Sequence, residues 1–176
     1  MSVLITNSYR DLNASLHSDD DKYGAGGHKN AHLIAEFLRS CGAESLLDYG
    51  CGKGTLKPAL KQLLPDVDVR EYDPAVPGKS GRPETAQVTT CLDVMEHIEP
   101  DCLDAVLDDI KSLTTLAVFM TISTVPAEKQ LADGRNAHLI VENHAWWRQR
   151  LDKRFSLAHE EITDGGFLFV GQPAHE

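Results

Sequence analysis

Leu46-Leu47-Asp48-Tyr49-Gly50-Cys51-Gly52-Lys53-Gly54 is the stretch on which the fold turns. A short apolar strand, Ser45 to Tyr49, runs into three glycines at alternate positions. A helix marked by Leu56, Leu60, Leu63 and Leu64 follows, with Pro58 tolerated only near its first turn. Glycine permits the tight turn and lets a ligand approach the backbone with no Cβ in the way. Upstream, Leu33, Ile34, Phe37, Leu38 and Cys41 recur at helical spacing, which predicts a helix over 29–41 that Gly42 stops. Downstream, Val67 and Val69 alternate with charged residues through Tyr72, as in a second strand. Asp73 to Thr85 holds Pro74, Pro77, Pro83, Gly78 and Gly81 and reads as loop. Gln87 to Leu92 is a third strand. Asp101 is placed to cap a helix built on Leu103, Val106, Leu107 and Ile110. Leu116 to Ser123 is an apolar, β-branched strand stopped by Pro126, and 127–141 is irregular. A last helix carries Trp146, Trp147, Arg150 and Leu151. Phe155 to Ile162 and Phe167 to Val170 then flank Asp164-Gly165-Gly166, a hairpin signal. This alternation predicts an α/β fold: a mostly parallel sheet with helices on both faces, and a C-terminal antiparallel hairpin at one edge.

Composition bounds the function. At 176 residues the chain reads as one domain with a core of its own. Hydrophobic residues are 41% and charged residues 25%, close to the globular average, and no apolar run is long enough for a membrane span. The first residues, MSVLITNSYRD, lack the pattern of a signal peptide. A net charge of −10 and a pI near 5.2 argue against bulk nucleic-acid binding, which needs a basic face. Cys41, Cys51, Cys91 and Cys102 are scattered and suit neither a disulfide framework nor a zinc site, so a reduced, cytoplasmic setting is expected. Residues 1–28, with Ser18-Asp19-Asp20-Asp21 and Tyr23-Gly24-Ala25-Gly26-Gly27-His28, read as an N-terminal arm or lid, or equally as a partly disordered tail. Residues 29–176 form the domain proper.

The glycine spacing selects among ligands. A phosphate-binding P-loop needs G-x-x-x-x-G-K-[ST], which Lys53-Gly54 does not provide, and a nicotinamide dinucleotide loop needs G-x-G-x-x-G. Asp48, just before the turn, would repel a pyrophosphate and attract a cation. Asp73, nineteen residues after Gly54, stands where an acid accepts hydrogen bonds from ribose hydroxyls. A cation-binding loop plus a ribose-binding acid points to S-adenosylmethionine.

With these residues the chain resembles the class I S-adenosylmethionine-dependent methyltransferases, as a small single-domain member of the type 11/12 kind. The resemblance rests on Leu47 to Gly54, on Glu71-Tyr72-Asp73-Pro74, and on Cys91-Leu92-Asp93-Val94-Met95-Glu96-His97-Ile98, over about residues 30–171. It implies a Rossmann-like sheet in the family order 3-2-1-4-5-7-6. It also implies cofactor contacts from Asp48, Tyr49, Gly50, Cys51, Gly52, Gly54, Asp73, Pro74, Leu92 and Asp93. Cys51 has no identifiable base to make it a nucleophile. One departure stands out: the interval from Asp73 to Gln87 is too short for the family's third strand and helix, and no adenine-contacting acid can be named there. A shortened sheet is therefore expected. The implied activity is methyl transfer to an oxygen or nitrogen of a small polar molecule or a single nucleotide unit. A non-catalytic S-adenosylmethionine-binding module is the rival reading.

A second constellation follows the third strand. If residues 94–98 turn helically, Asp93, Glu96 and His97 share one face, and His138 in Asn136-Ala137-His138 follows the next strand. Carboxylates with imidazoles can hold a divalent metal. The block also resembles the E-x-x-E-H of small-RNA 3′-terminal 2′-O-methyltransferases, which implies Mg²⁺ there. In metal-free small-molecule methyltransferases, by contrast, the same block implies a locally paired Glu96 and a pocket-lining His97. We adopt the metal-free expectation, with His97 and His138 as the catalytic candidates at the C-terminal edge of the sheet and His138 suited by its ordinary pKa to act as a general base. Trp146 and Trp147 could stack a planar substrate. Neighbours on a helix point about 100° apart, however, so one belongs in the core and the other is partly exposed.

Overall fold

The structure is a computed structural model and describes residues 3–174; the outermost two residues of the arm (1–28) and of the domain (29–176) lie outside them. Helix α1 spans Asn7–Asp19, α2 Ala31–Cys41, α3 Leu56–Leu63, α4 Leu103–Leu113 and α5 His144–Leu151. The strands are β1 Ser45–Tyr49, β2 Asp68–Tyr72, β3 Ala86–Leu92, β4 Thr114–Ser123, β5 Phe155–Thr163 and β6 Gly166–Pro173. They form one sheet in the order β2-β1-β3-β4-β6-β5. β1 pairs in parallel with β2 and β3, and β3 with β4, whereas β6 runs antiparallel to β4 and β5 antiparallel to β6. This is the expected Rossmann-like α/β fold. The strand that the family order places beyond β2 is missing among the described residues. Residues 73–85 contain turns only, so β2 is a sheet edge.

Burial follows the two-residue period of a strand. On β1, Leu46 faces α2 and α3, in a core with Ile34, Leu38, Leu56, Leu60, Val88 and Phe119. Leu47 and Tyr49 face the opposite core, with Met95, Val106, Leu107, Ile110, Trp147 and Phe169. Gly42 ends α2 in the left-handed conformation (φ 66°), with Gly42 N–H donating to Arg39 O and Ala43 N–H to Leu38 O. Pro58 sits in the first turn of α3, where its missing N–H costs nothing. Trp147 is fully buried, and the Arg150 guanidinium stacks 3.3 Å from the half-buried Trp146 ring, so neither tryptophan is free to stack a substrate.

Two local expectations need correction. Of the two readings of residues 1–28, the partly disordered tail gives way, because α1 occupies 13 of the described residues 3–28. Thr6 caps α1, its Oγ1 accepting from Tyr9 N–H, and the face it buries carries Tyr9 and Asn13. A half-polar face leaves little apolar periodicity to read. Asp101 does not cap α4. It lies inside a 3₁₀ turn, Pro100–Cys102, that leads into that helix.

Candidate active site

β1 delivers the glycine loop to the C-terminal edge of the sheet, beside the end of β2. Gly50 and Cys51 N–H both donate to Tyr72 O, at 2.7 and 3.1 Å. Gly52 N–H donates to Asp73 Oδ2 (3.0 Å), and Ala75 N–H to Asp73 Oδ1 (2.9 Å). Asp73 is thus a clamp on the loop as well as an acid facing it. Gly52 is left-handed (φ 51°). A Cβ there would stand 2.6 Å from Gly24 O and 2.8 Å from Gly24 Cα. The glycine therefore makes room for the arm's backbone, and Lys53 N–H donates to Gly24 O (2.9 Å).

The loop opens on a cavity of about 300 Å³. Its floor holds Asp48, Tyr49, Gly50, Cys51, Gly52, Asp73, Pro74, Leu92 and Asp93, which is every expected cofactor residue but Gly54. Gly54 lies beyond the cavity, over Lys79 and Glu71. Asp48 is buried, with Thr90 Oγ1 donating to its Oδ1 at 3.3 Å, and loss of water raises its pKa to about 7. Burial also pushes the Cys51 thiol far up, so it is no thiolate nucleophile.

The arm forms the roof. Tyr9, Asn13 and His17 of α1, with Tyr23 and Gly24, line the cavity from above. Tyr9 hydroxyl donates to His97 O, Tyr23 hydroxyl donates to Asn13 Oδ1 (3.0 Å), and Lys129 pairs with Asp20. Glu99 accepts from both Thr6 N–H and Thr6 Oγ1, each at 2.8 Å. The sequence reading placed Tyr23 and Gly24 in an arm or lid but missed Tyr9, Asn13 and His17, since only the Thr6 cap marks α1 in the sequence.

Asp93 to His97 follow β3. Asp93 takes φ 53°, rare for a non-glycine residue, and its Oδ1 accepts from Thr121 Oγ1 at 2.9 Å. The following residues turn as a 3₁₀ helix, Met95–His97. His97 lines the cavity. Burial drops its pKa to about 4, so the ring is neutral at ordinary pH. Its Nδ1 lies 2.8 Å from Ala137 O; a carbonyl only accepts, so Nδ1 carries the proton and Nε2 keeps a lone pair. His138 packs edge-on against that ring, with centroids 4.7 Å apart, and its Nδ1 donates to Val125 O at 2.6 Å. The structure brings the two histidines together but separates their outlooks. His138 does not line the loop's cavity. It faces a neighbouring cleft shared with Asp93, Glu96, Thr121, Ser123 and the β5–β6 hairpin, whereas Lys129 of the same 127–141 segment does line the cavity. Glu96 is fully buried; its Oε1 accepts from Ser123 N–H (3.1 Å) and its Oε2 has no partner.

Residues 23–160 match the family model described as a methyltransferase domain. The ribosomal protein L11 methyltransferase of Laribacter hongkongensis is 36% identical over 81 residues; these are 44% of the chain and 27% of that relative, so the chain matches about a quarter of the relative's length. Among solved structures, the 1,6-didemethyltoxoflavin-N1-methyltransferase of Burkholderia thailandensis, with bound 1,6-didemethyltoxoflavin and S-adenosylhomocysteine, superposes with a TM-score of 0.68. Its identity is 13%, over 99% of the chain and 93% of that structure. The magnesium protoporphyrin IX methyltransferase of Synechocystis PCC 6803 with bound S-adenosylmethionine gives a TM-score of 0.59 at 18% identity, over 85% and 80%. At these identities the likeness is one of fold.

Proposed function

Because the chain belongs to the class I S-adenosylmethionine-dependent methyltransferases, through its methyltransferase domain, we propose that it methylates an oxygen or nitrogen of a small polar acceptor bound under its N-terminal arm. The observation that carries this reading is the roofed cavity. It places two acids and a glycine loop on the floor and closes α1 and Tyr23 over them, which suits a small molecule better than a polymer.

The floor fits the cofactor. Asp73 faces the cavity with acceptor capacity left on both oxygens, as ribose hydroxyls require. Asp48 offers a carboxylate to a cationic centre. Ala75, Leu92, Val94 and Val106 supply an apolar wall for a planar base. Bound there, S-adenosylmethionine supplies an already activated methyl group. The chain's own contribution is alignment and exclusion of water, and alignment alone is worth up to roughly 10⁵–10⁸ M in effective concentration. His97, neutral and held by Ala137 O, presents a lone pair at the acceptor end. His138 backs it from the adjoining cleft. Tyr9, His17 and Tyr23 complete the wall that the acceptor meets.

The test has two parts. Calorimetry should show S-adenosylhomocysteine binding one to one, weakened at least about 10-fold in Asp73→Ala through lost charge-assisted hydrogen bonds. Methyl-labelled S-adenosylmethionine, incubated with the chain and a cell extract, should label the small-molecule fraction on oxygen or nitrogen. Label confined to protein or RNA would overturn the small-acceptor reading.

A further inference from the structure

We propose that Glu96, His97 and His138 form a binding site for one divalent transition-metal ion of the Zn²⁺ type, set between the roofed cavity and the neighbouring cleft. The inference deepens the reading above, since the ion would stand at the acceptor end of that same site.

Three observations carry it. One donor atom from each of the three side chains falls within 4.8 Å of the others. Both histidines donate their Nδ1–H to a backbone carbonyl, His97 to Ala137 O and His138 to Val125 O, which fixes the tautomer and leaves each Nε2 with a free lone pair. Metal-ligating histidines are held in this manner, by a carbonyl or carboxylate on the far nitrogen. Finally, Glu96 is 0% exposed, and its Oε2 has no hydrogen-bond partner while Oε1 is held by Ser123 N–H. A buried carboxylate oxygen with nothing to bind is costly unless something fills the position.

The donor set chooses the ion. Two imidazoles and one carboxylate suit Zn²⁺, Co²⁺ or Fe²⁺, whereas Mg²⁺ prefers an all-oxygen shell. Bond lengths of about 2.0–2.2 Å require donors about 3–3.5 Å apart, so binding draws the three side chains inward by about 1 Å. Three protein ligands leave positions open. Asp93, which lines both the cavity and the cleft, offers a further carboxylate to fill one, or an acceptor oxygen could take it.

Metal-stripped, tag-free protein should bind one equivalent of Zn²⁺ by calorimetry, with Mg²⁺ at least about 100-fold weaker. Co²⁺ should give the visible absorption of a four- or five-coordinate ion. His138→Ala and the isosteric Glu96→Gln should each weaken Zn²⁺ by about 100-fold and abolish the Co²⁺ band. Circular dichroism of each variant should confirm the fold. Absence of a one-to-one Zn²⁺ complex, or a complex of equal strength in both variants, would overturn the site. S-adenosylhomocysteine titrated into the same samples separates the two readings: its failure to bind would overturn the methyltransferase site while leaving the metal result standing.

Discussion

Asp48 is one carboxyl whose burial should be visible in solution. Its pKa lies at about 7 because desolvation disfavours the anion, with the Thr90 hydroxyl opposing that shift. The ordinary carboxylate value is 3.8. Between the two pH values the folded chain binds the proton that the unfolded chain has lost. Asp48 therefore contributes its full stability below about pH 4, and that contribution falls as pH rises through 7. The size is about 4 kcal/mol, at roughly 1.4 kcal/mol for each pH unit between the two values. Asp48→Asn should flatten the stability–pH curve over this window, as read by urea unfolding against the unsubstituted chain. A ligand cation beside Asp48 reverses the preference and expels the proton. S-adenosylmethionine should then bind more tightly as pH rises towards 7, whereas S-adenosylhomocysteine, which lacks the sulfonium charge, should respond less. Calorimetry in buffers of different ionisation enthalpy would count the proton released. Equal pH responses for the two ligands would show that Asp48 does not meet the sulfonium.

At the scale of elements, the sheet was legible, whereas the arm was legible as an arm but not as a helix, and the reason is physical. β1 and β4 announce themselves by Leu46-Leu47 and by Ala117 to Ile122, because strands buried on both faces need apolar runs. α2 and α4 each lay one apolar stripe on the sheet. α1 instead rests Tyr9 and Asn13 on other polar groups, His97 O and the Tyr23 hydroxyl, so its pattern carries no period. The same difference explains the site. Asp48, Gly50, Gly52 and Asp73 are fixed by local spacing, whereas the meeting of His97 with His138 depends on the path of residues 127–141. Gly52 offers a test of arm closure. Gly52→Ala places a Cβ against Gly24 O, and it also bears the left-handed strain of about 1–2 kcal/mol. Gly134→Ala is the control: its φ is 86° and a Cβ there meets open space. Both substitutions should lower stability, but only Gly52→Ala should lift the arm. Limited trypsin digestion should then cut at Arg10 and Lys22 faster in Gly52→Ala than in Gly134→Ala, and equal rates would show that the Gly24 contact does not hold the arm down.

For the molecule as a whole, the sheet is held by buried strands, and the arm is expected to be the part whose order responds to a ligand beneath it. β3 and β4 are buried at the centre of the sheet, and their amides should open only with global unfolding. The arm is held mainly by hydrogen bonds and by ion pairs at the surface. One of these, Lys53 with Asp21, spans 3.5 Å with the aspartate fully exposed. Such pairs are individually weak and screened by salt. Residues 6–27 should therefore exchange their amide hydrogens through local opening, well below the free energy of global unfolding. A ligand enclosed between the floor and α1 adds its binding energy to the closed form alone. At a free concentration 100 times Kd that is about 2.7 kcal/mol, or about a 100-fold slowing of any exchange that requires release of the ligand. Hydrogen exchange with and without saturating S-adenosylhomocysteine should show this slowing in residues 6–27 and in the loop 48–54. Amides of β3 and β4 should slow only to the extent that global stability rises, with a melting temperature higher by about 5–10 °C. Protection of the glycine loop with no change in the arm would mean that the cofactor binds without the roof, and the acceptor site would then have to be sought in the cleft below His138.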